Sequence, residues 1–279
     1  MNAIEITGLR KEYKDFTLGD ITLSLPSGCI LGLIGENGAG KTTLIKSLLG
    51  ITIPTSGSAV ILGKAVGDNT IHDDIGVVLD EVGMPMNFNT SDIDLVMKNT
   101  YTKWSSEVFF DYVRRFKLPE KKKFSEFSKG MKMKLGIAAA LSHEPKLLIL
   151  DEPTSGLDPL VRDEIVDILS EYTRDEEHSI LISSHIVSDL EKLCDYIAFL
   201  HDGKLMLFEE KDRLLEQYCF LTLSDDQLEA MRAEAIIRKR VNKYSTEVLA
   251  DRSMIPNGYN AAPITIEELF VFMAKEVKE

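Results

Sequence analysis

Apolar residues recur along much of the chain in two distinct patterns. Residues 3–9 and 16–25 alternate apolar and polar positions, and this period of two predicts half-exposed strands of an antiparallel sheet. The runs at 29–34, 75–79 and 147–150 are apolar throughout, which is typical of short buried strands. Stretches with helical spacing separate these runs, and strands that alternate with helices predict an α/β core.

The pattern changes between residues 81 and 144. Apolar residues such as Ile93 and Met97 recur there at helical spacing, so we predict a helical insertion in the α/β core. The insertion begins with a loop that carries Met84, Met86 and Phe88. Core packing is the default role for such apolar residues, but a methionine-rich loop is also an adaptable surface that could receive a helix of another protein.

Cap and turn signals locate the later elements. Ser128 stands where an N-cap is expected, and Pro159 stands at a helix start. The sequence His201-Asp202-Gly203 predicts a hairpin turn. The elements predicted in this part are helices at 128–141 and 159–171, a strand at 179–183 and a hairpin at 197–208.

The α/β alternation stops at about Asp212, and we predict a small α+β appendage over residues 213–279. Its last helix is marked by a capping box at 265–268 and is expected to end at Val277. The other elements predicted here are strands at 220–223, 236–241 and 244–249 and a helix at 225–235.

The strongest chemical signal is a glycine-rich loop between the apolar run at 29–34 and a predicted helix. Residues 35–42 satisfy the pattern G-x-x-x-x-G-K-[ST], whose backbone N–H groups wrap a phosphate at a helix amino end. The lysine neutralises phosphate charge and the threonine ligates Mg²⁺. A glycine-rich turn before an ordinary helix is the alternative. The candidate residues are Gly35, Glu36, Asn37, Gly38, Ala39, Gly40, Lys41, Thr42 and Thr43.

Other candidate residues stand at the ends of predicted strands. Asp151 and Glu152 follow the run at 147–150, at the strand end where open α/β sheets bind ligands. His185 comes just after the strand at 179–183, although a lone histidine is usually structural. Tyr13 lies in the turn between the first two strands, where it could stack on an adenine ring or serve packing alone.

Composition narrows the classes of partner. The net charge of −13 argues against nucleic acid or anionic lipid as the main partner, because both require a positive surface. No apolar run reaches the length of a membrane span and the first residues lack the features of a signal peptide, so we expect a cytosolic protein. The three cysteines are widely spaced, which predicts small buried side chains instead of ligands: Cys29, Cys194 and Cys219.

Taken in order, these motifs resemble the ATPase subunit of ABC transporters over residues 1–212. The resemblance implies a P-loop NTPase (RecA-like) core with an antiparallel β subdomain, a helical subdomain at about 81–144 and the appendage at 213–279. It also implies ATP and Mg²⁺ as cofactors. The roles that it assigns are adenine stacking for Tyr13, Walker A for 35–42, Walker B for Asp151 and Glu152, the signature loop for Ser128, Lys129, Gly130 and Met131, the D-loop for 155–158 including Asp158, and the switch histidine for His185.

Catalysis would then fall to Glu152, His185 and Lys41, with Thr42, Asp151 and Asp80 as metal ligands. Asp80 and the signature loop depart from the family pattern. Asp80 replaces the glutamine of the Q-loop and lacks its N–H donor, although a carboxylate can still ligate Mg²⁺. Lys129 adds a cation where the family has glycine, within F-S-K-G-M in place of L-S-G-G-Q.

The resemblance also implies partners and a location. Two subunits would sandwich two ATP molecules, and a homodimer is favoured over a heterodimer because every catalytic residue is present. A polytopic membrane permease would dock at residues 84–88 and hold the protein at the cytoplasmic face of the membrane. The chain looks most like ATPases of ABC-2 type exporters, including those for phenol-soluble modulins, bacitracin and lantibiotics. Alternatives are a soluble ABC ATPase outside transport or an importer ATPase.

Overall fold

A computed structural model describes residues 1–241, 245–256 and 258–274 of the chain. The strands are β1 Asn2–Glu12, β2 Thr17–Pro26, β3 Ile30–Ile34, β4 Ser56–Ile61, β5 Lys64–Ala65, β6 Ile75–Val78, β7 Leu147–Asp151, β8 Ser179–Ser184, β9 Tyr196–His201, β10 Lys204–Glu210, β11 Tyr218–Leu223, β12 Ile236–Val241 and β13 Thr246–Asp251. The helices are α1 Lys41–Leu48, α2 Thr90–Thr100, α3 Ser106–Arg115, α4 Lys129–Leu141, α5 Pro159–Tyr172, α6 Val187–Leu193, α7 Lys211–Gln217, α8 Asp225–Ala230 and α9 Ile266–Ala274.

Ten strands form one sheet in the order β5-β4-β1-β2-β10-β9-β3-β8-β7-β6. Strands β1, β2 and β4 pair antiparallel, which confirms the prediction from the alternating pattern. Strands β9, β3, β8, β7 and β6 pair parallel, so the carboxyl ends of the last four meet at one edge. The ends of parallel strands are where α/β sheets bind ligands.

Helices cover both faces of the parallel strands. Along β7, Leu147 and Ile149 belong to the core that includes Leu44 of α1. Leu148 and Leu150 belong to the opposite core, which includes residues of α4, α5 and α6. Since successive side chains of a strand point to opposite faces, an unbroken apolar run is what a strand buried on both sides requires.

The predicted helical insertion is confirmed by α2, α3 and α4. All three of these helices begin at side-chain caps: Asn89 caps α2 with a reciprocal bond to Asp92, Ser105 Oγ accepts the N–H of Val108 in α3, and Ser128 Oγ accepts the N–H of Met131 in α4. Phe109 of α3 is fully buried in the core that α4 shares. The insertion therefore packs as part of the main core.

A second, three-stranded sheet follows, in the order β11-β13-β12. The helix predicted at 225–235 is wrong in length: α8 ends at Ala230, and Met231 is extended. Met231 and Ala235 are buried in a small core on this sheet, and that burial outweighs their helix propensity. The predicted capping box at Thr265 precedes α9. Tyr244 and Val277, predicted as element boundaries, lie outside the described residues.

Cys194 and Cys219 are buried and Cys29 is partly buried, and all three are unpaired. Burial raises the pKa of the Cys194 thiol, which disfavours the reactive thiolate. Among the helices that the structure describes, none is both long and apolar enough to span a lipid bilayer.

Candidate functional site

The glycine-rich loop links the end of β3 to the start of α1. Gly38 and Gly40 have φ angles of 87° and 106°, in the left-handed region that favours glycine. Gly40 is the N-cap residue of α1 and offers no side-chain cap. The first N–H groups of the helix therefore face the loop without a side-chain acceptor, as an anion site requires.

The hairpin of β9 and β10 braces this loop from behind. The Gly203 N–H at the hairpin tip donates to the carbonyl of Ala39 over 3.1 Å. A Cβ atom on Gly35 would lie 2.6 Å from the carbonyl oxygen of Leu200, so only glycine fits there without a shift. The conformation of the loop is thus fixed by tertiary contacts as well as by its own sequence.

Lys41 is the first residue of α1 and is 5% exposed. Its ammonium donates to the carbonyls of Gly35 at 2.6 Å and Glu36 at 3.3 Å. It also lies 3.1 Å from Oε1 of Glu152. These contacts hold a positive charge inside the loop, where a phosphate would need it.

Asp151 ends β7 and is 2% exposed. Its Oδ2 accepts a hydrogen bond from Thr42 Oγ1 at 2.7 Å, and its Oδ1 accepts one from Ser183 Oγ at 2.6 Å. A buried carboxylate beside a hydroxyl at the mouth of a phosphate loop is a pair of oxygen ligands suited to Mg²⁺. In the described ranges, no group of three or more His, Cys, Asp and Glu side chains converges on a metal position.

Glu152 has a left-handed backbone with φ of 52°, a costly conformation for a residue other than glycine. Its N–H donates to the carbonyl and the hydroxyl of Ser183, at 3.2 and 3.0 Å. Its Oε2 accepts from His185 Nδ1 at 2.6 Å while Oε1 meets the Lys41 ammonium. Because a carboxylate only accepts, Nδ1 carries the proton and Nε2 is the ring nitrogen left for a ligand.

Ser183 is a residue that the motif analysis did not identify. It stands opposite Asp151 in the register of β7 and β8, which lets one hydroxyl contact both Asp151 and Glu152. It is fully buried. The available signal was a hydroxyl residue directly after the apolar residues 180–182 of the strand.

Tyr13 lies in the turn between β1 and β2 and is 48% exposed. Its ring lies 6.5 Å from the ring of Phe16, and the Lys11 ammonium lies 5.4 Å from its centroid. The tip of the Phe16 ring lies 3.0 Å from where a Cβ on Gly40 would be. Phe16 thus connects an exposed aromatic face to the end of the glycine-rich loop.

A second group of the predicted residues lies at the amino ends of α4 and α5. Ser128 caps α4, and Asp158 caps α5 by accepting the N–H of Val161 at 3.1 Å. Gly130 and Met131 belong to the first turn of α4, and a Cβ on Gly130 would lie 3.4 Å from Val161. The amino ends of the two helices therefore pack side by side.

Asp80 and Lys129 also belong to this second group. Asp80 follows β6, and its Oδ1 lies 3.4 Å from the ammonium of Lys129. The loop from Glu152 to Asp158 links the two groups, since the Ser155 N–H donates to the Glu152 carbonyl at 3.1 Å. The structure thus collects the predicted residues into two neighbouring sets joined by one loop.

The chain is similar to known proteins in both sequence and structure. The family profile described as "ABC transporter" matches residues 18–155. The chain is 36% identical over 241 residues to the bacitracin transport ATP-binding protein BcrA of Enterococcus faecalis, covering 83% of this chain and 78% of BcrA. It is 37% identical over 212 residues to the lantibiotic transport ATP-binding protein SrtF of Streptococcus pyogenes, covering 75% of this chain and 91% of SrtF. A solved structure described as the ATP binding subunit of an ABC transporter matches with a TM-score of 0.69 and 28% identity, covering 77% of this chain and 92% of that one.

Proposed function

This chain belongs to the ABC transporter family, and from that premise we propose that it is the ATP-hydrolysing subunit of an exporter, with a separate membrane subunit forming the path for the cargo. The observation that carries the ATPase assignment is the contact network of Lys41, Asp151, Glu152 and His185 around the glycine-rich loop. Relatives named as bacitracin and lantibiotic transport ATP-binding proteins support a peptide or antimicrobial cargo. Loss of ATP cleavage in a Lys41 variant, described in the Discussion, tests the assignment.

The proposed reaction is in-line attack of water on the γ-phosphorus of ATP. Glu152 takes a proton from the water, the bond to the bridging oxygen of ADP breaks, and the proton returns to the inorganic phosphate. The Lys41 ammonium lies 3.1 Å from Oε1 of Glu152, and His185 Nδ1 donates to Oε2. When Lys41 turns to the β- and γ-phosphates, Oε1 becomes free for the water.

Thr42 and Asp151 are the residues that would hold Mg²⁺, because a hydroxyl and a buried carboxylate lie 2.7 Å apart there. The ion would supply positive charge to the β- and γ-phosphate oxygens during transfer. Ser183 would not bind the ion itself, and its hydrogen bond would fix the orientation of the Asp151 carboxylate. Tyr13 would stack on the adenine from the turn between β1 and β2.

We propose that two copies of the chain enclose two ATP molecules, with Ser128, Gly130 and Asp158 of each copy facing the nucleotide of the other. The surface beside these residues supports a covering partner, because Leu160 in the first turn of α5 is 83% exposed. Every proposed catalytic residue is present in this one chain, which favours a homodimer with two working sites.

The Glu152→Gln variant should dimerise when Mg-ATP is added, because it retains the nucleotide that joins the two copies. Size-exclusion chromatography with light scattering should give the mass of one chain without nucleotide and of two chains with ATP. ADP is the control, since it lacks the γ-phosphate that the second copy contacts. An unchanged mass with ATP would contradict the dimer.

We further propose that a cytosolic helix of the membrane subunit docks at the cavity beside the loop at residues 84–88, and that this contact keeps the protein at the cytoplasmic face. The cavity has a volume of about 590 Å³ and is lined by Met84, Met86 and Phe124 among others. Met86 is 59% exposed. Met84 and Phe88 are both partly buried against the main core, and of these two Met84 lines the cavity.

Replacing Met84 and Met86 together by alanine should abolish most of the stimulation of ATP hydrolysis by the membrane subunit while leaving basal hydrolysis in place. Truncating two contact side chains costs about 2 kcal/mol or more of docking free energy if they are central to the interface. ATPase rates with and without the co-purified membrane subunit measure this. Met254→Ala, at a 47% exposed position far along the chain, is the matched control. Unchanged stimulation in the double variant would place the docking surface elsewhere.

A further inference from the structure

Two of the residues that depart from the family pattern contact each other. Asp80 and Lys129 are 49 residues apart in sequence, yet their charged groups lie 3.4 Å apart. Building on the proposed function, we propose that Asp80 and Lys129 form one positioning pair, in which Asp80 serves as the counter-ion of Lys129 instead of as a ligand of Mg²⁺.

The position of Lys129 is unfavourable for the helix that it begins. Lys129 is the first residue of α4, and no acidic residue lies in the first turn. The helix dipole places positive charge at this end, so a cation there destabilises the helix and an acid would stabilise it. The missing negative charge comes from Asp80, on a different segment of the chain. The charge of Lys129 is therefore explained by its contact with Asp80 and not by the stability of α4.

The Lys129 side chain also reaches the loop that joins β7 to α5. Its ammonium lies 3.5 Å from the position that a Cβ on Gly156 would occupy, and Gly156 has a φ of 67°. The same loop bonds back to Glu152 through the Ser155 N–H. Lys129 thus lies between Asp80 and the backbone that carries the proposed catalytic glutamate.

Both members of the pair line the proposed docking cavity. A segment of another protein entering that cavity would meet Asp80 and Lys129, and Lys129 also lies beside the loop at Gly156. The pair therefore gives a direct physical connection from the docking surface to Glu152: Asp80 to Lys129, Lys129 to the loop at Gly156, and the loop to Glu152. Asp80 and Lys129 are positioning residues in this arrangement, because they act through the loop.

A double-mutant cycle tests the pair. Asp80→Asn and Lys129→Gln should each lower kcat for ATP hydrolysis about two- to fivefold, a factor that corresponds to the free energy of an exposed ion pair. The kcat of the double variant should be no lower than that of the slower single variant, because either single substitution already removes the interaction. The reversed pair, Asp80→Lys with Lys129→Asp, should recover at least half of the lost rate. Raising the salt concentration should narrow the gap between wild type and the variants.

Titration with Mg²⁺ separates the two roles of Asp80. A counter-ion leaves the half-saturating Mg²⁺ concentration within about twofold in Asp80→Asn, whereas loss of a ligand raises it tenfold or more, the scale of about 1.4 kcal/mol. Lys146→Gln is the matched control: Lys146 pairs with Glu177 over the same 3.4 Å and is 51% exposed, close to the 50% of Lys129.

Multiplicative rate losses in the double variant, a reversed pair no better than the double variant, or a raised Mg²⁺ requirement would each overturn the inference. Thermal unfolding of every variant identifies any rate loss that reflects misfolding, and the cycle of the two singles and the double remains informative if the reversed pair does not fold. Failure of the pair leaves the ATPase assignment intact, which falls only if the wild-type protein or its Lys41 variant behaves differently from the expectation in the Discussion.

Discussion

The Glu152→Gln variant should bind Mg-ATP with nearly wild-type affinity and hydrolyse it about 10²- to 10⁴-fold more slowly, the usual contribution of a general base. Glutamine has the same shape, so it can occupy the same left-handed backbone and keep a contact with His185. It cannot take the proton of the attacking water. Single-turnover hydrolysis and binding of a fluorescent ATP analogue measure the two quantities separately.

Glu177→Gln provides the control for a change of charge alone. The Glu177 side chain is 75% exposed in the turn before β8 and lies outside the proposed site. Its turnover should equal that of wild type. If Glu152→Gln also turned over ATP at the wild-type rate, Glu152 would not be the base, and the proton would have to leave through another group.

Lys41→Ala should lose both nucleotide binding and turnover. A hydrogen bond to a charged group contributes about 1.5–3 kcal/mol, so ATP affinity should fall about 10- to 100-fold. Removing a cation that meets charge developing in the transition state should lower kcat by about 10²-fold or more. Equilibrium binding and steady-state hydrolysis at saturating ATP distinguish the two losses.

The substitution also leaves the Glu152 carboxylate without the ammonium at 3.1 Å, in a site that is largely buried. Lys41→Met keeps the apolar stem and should fold at least as well, which allows the loss of charge to be tested in a folded protein. Lys46→Ala, in the last turn of the same helix, is the control for a lost lysine. Full Mg-dependent ATP cleavage by a folded Lys41 variant would contradict the proposed function.

The features that the sequence predicted best are those decided by neighbouring residues. The glycine-rich loop requires two positive φ angles next to a helix start, and residues 35–42 supply glycines at both positions. The cap at Ser128 likewise depends on a hydroxyl oxygen within three residues of the N–H that it accepts. Such contacts need no knowledge of the sheet.

The features that could not be predicted depend on strand order and register. Ser183 reaches Asp151 and Glu152 only because β8 pairs with β7 in a register that places residue 183 opposite residue 151. Asp80 meets Lys129 only because β6 is the neighbour of β7 and α4 packs against β6. The length of α8 was missed for a related reason, since burial of Met231 against the sheet formed by β11 and β13 decided it. Local propensity carries no information about these contacts.

Lys41 contacts the carbonyls of Gly35 and Glu36 on one side and Glu152 on the other, and Glu152 in turn contacts His185. These contacts affect what a measurement of nucleotide affinity reports. An incoming triphosphate exchanges partners with groups that already contact one another, so a measured dissociation constant reports the difference between two competing sets of contacts. Inhibitors designed for this protein should therefore be judged by how well they outcompete the internal partners of Lys41, because the strength of their own contacts is only half of that balance.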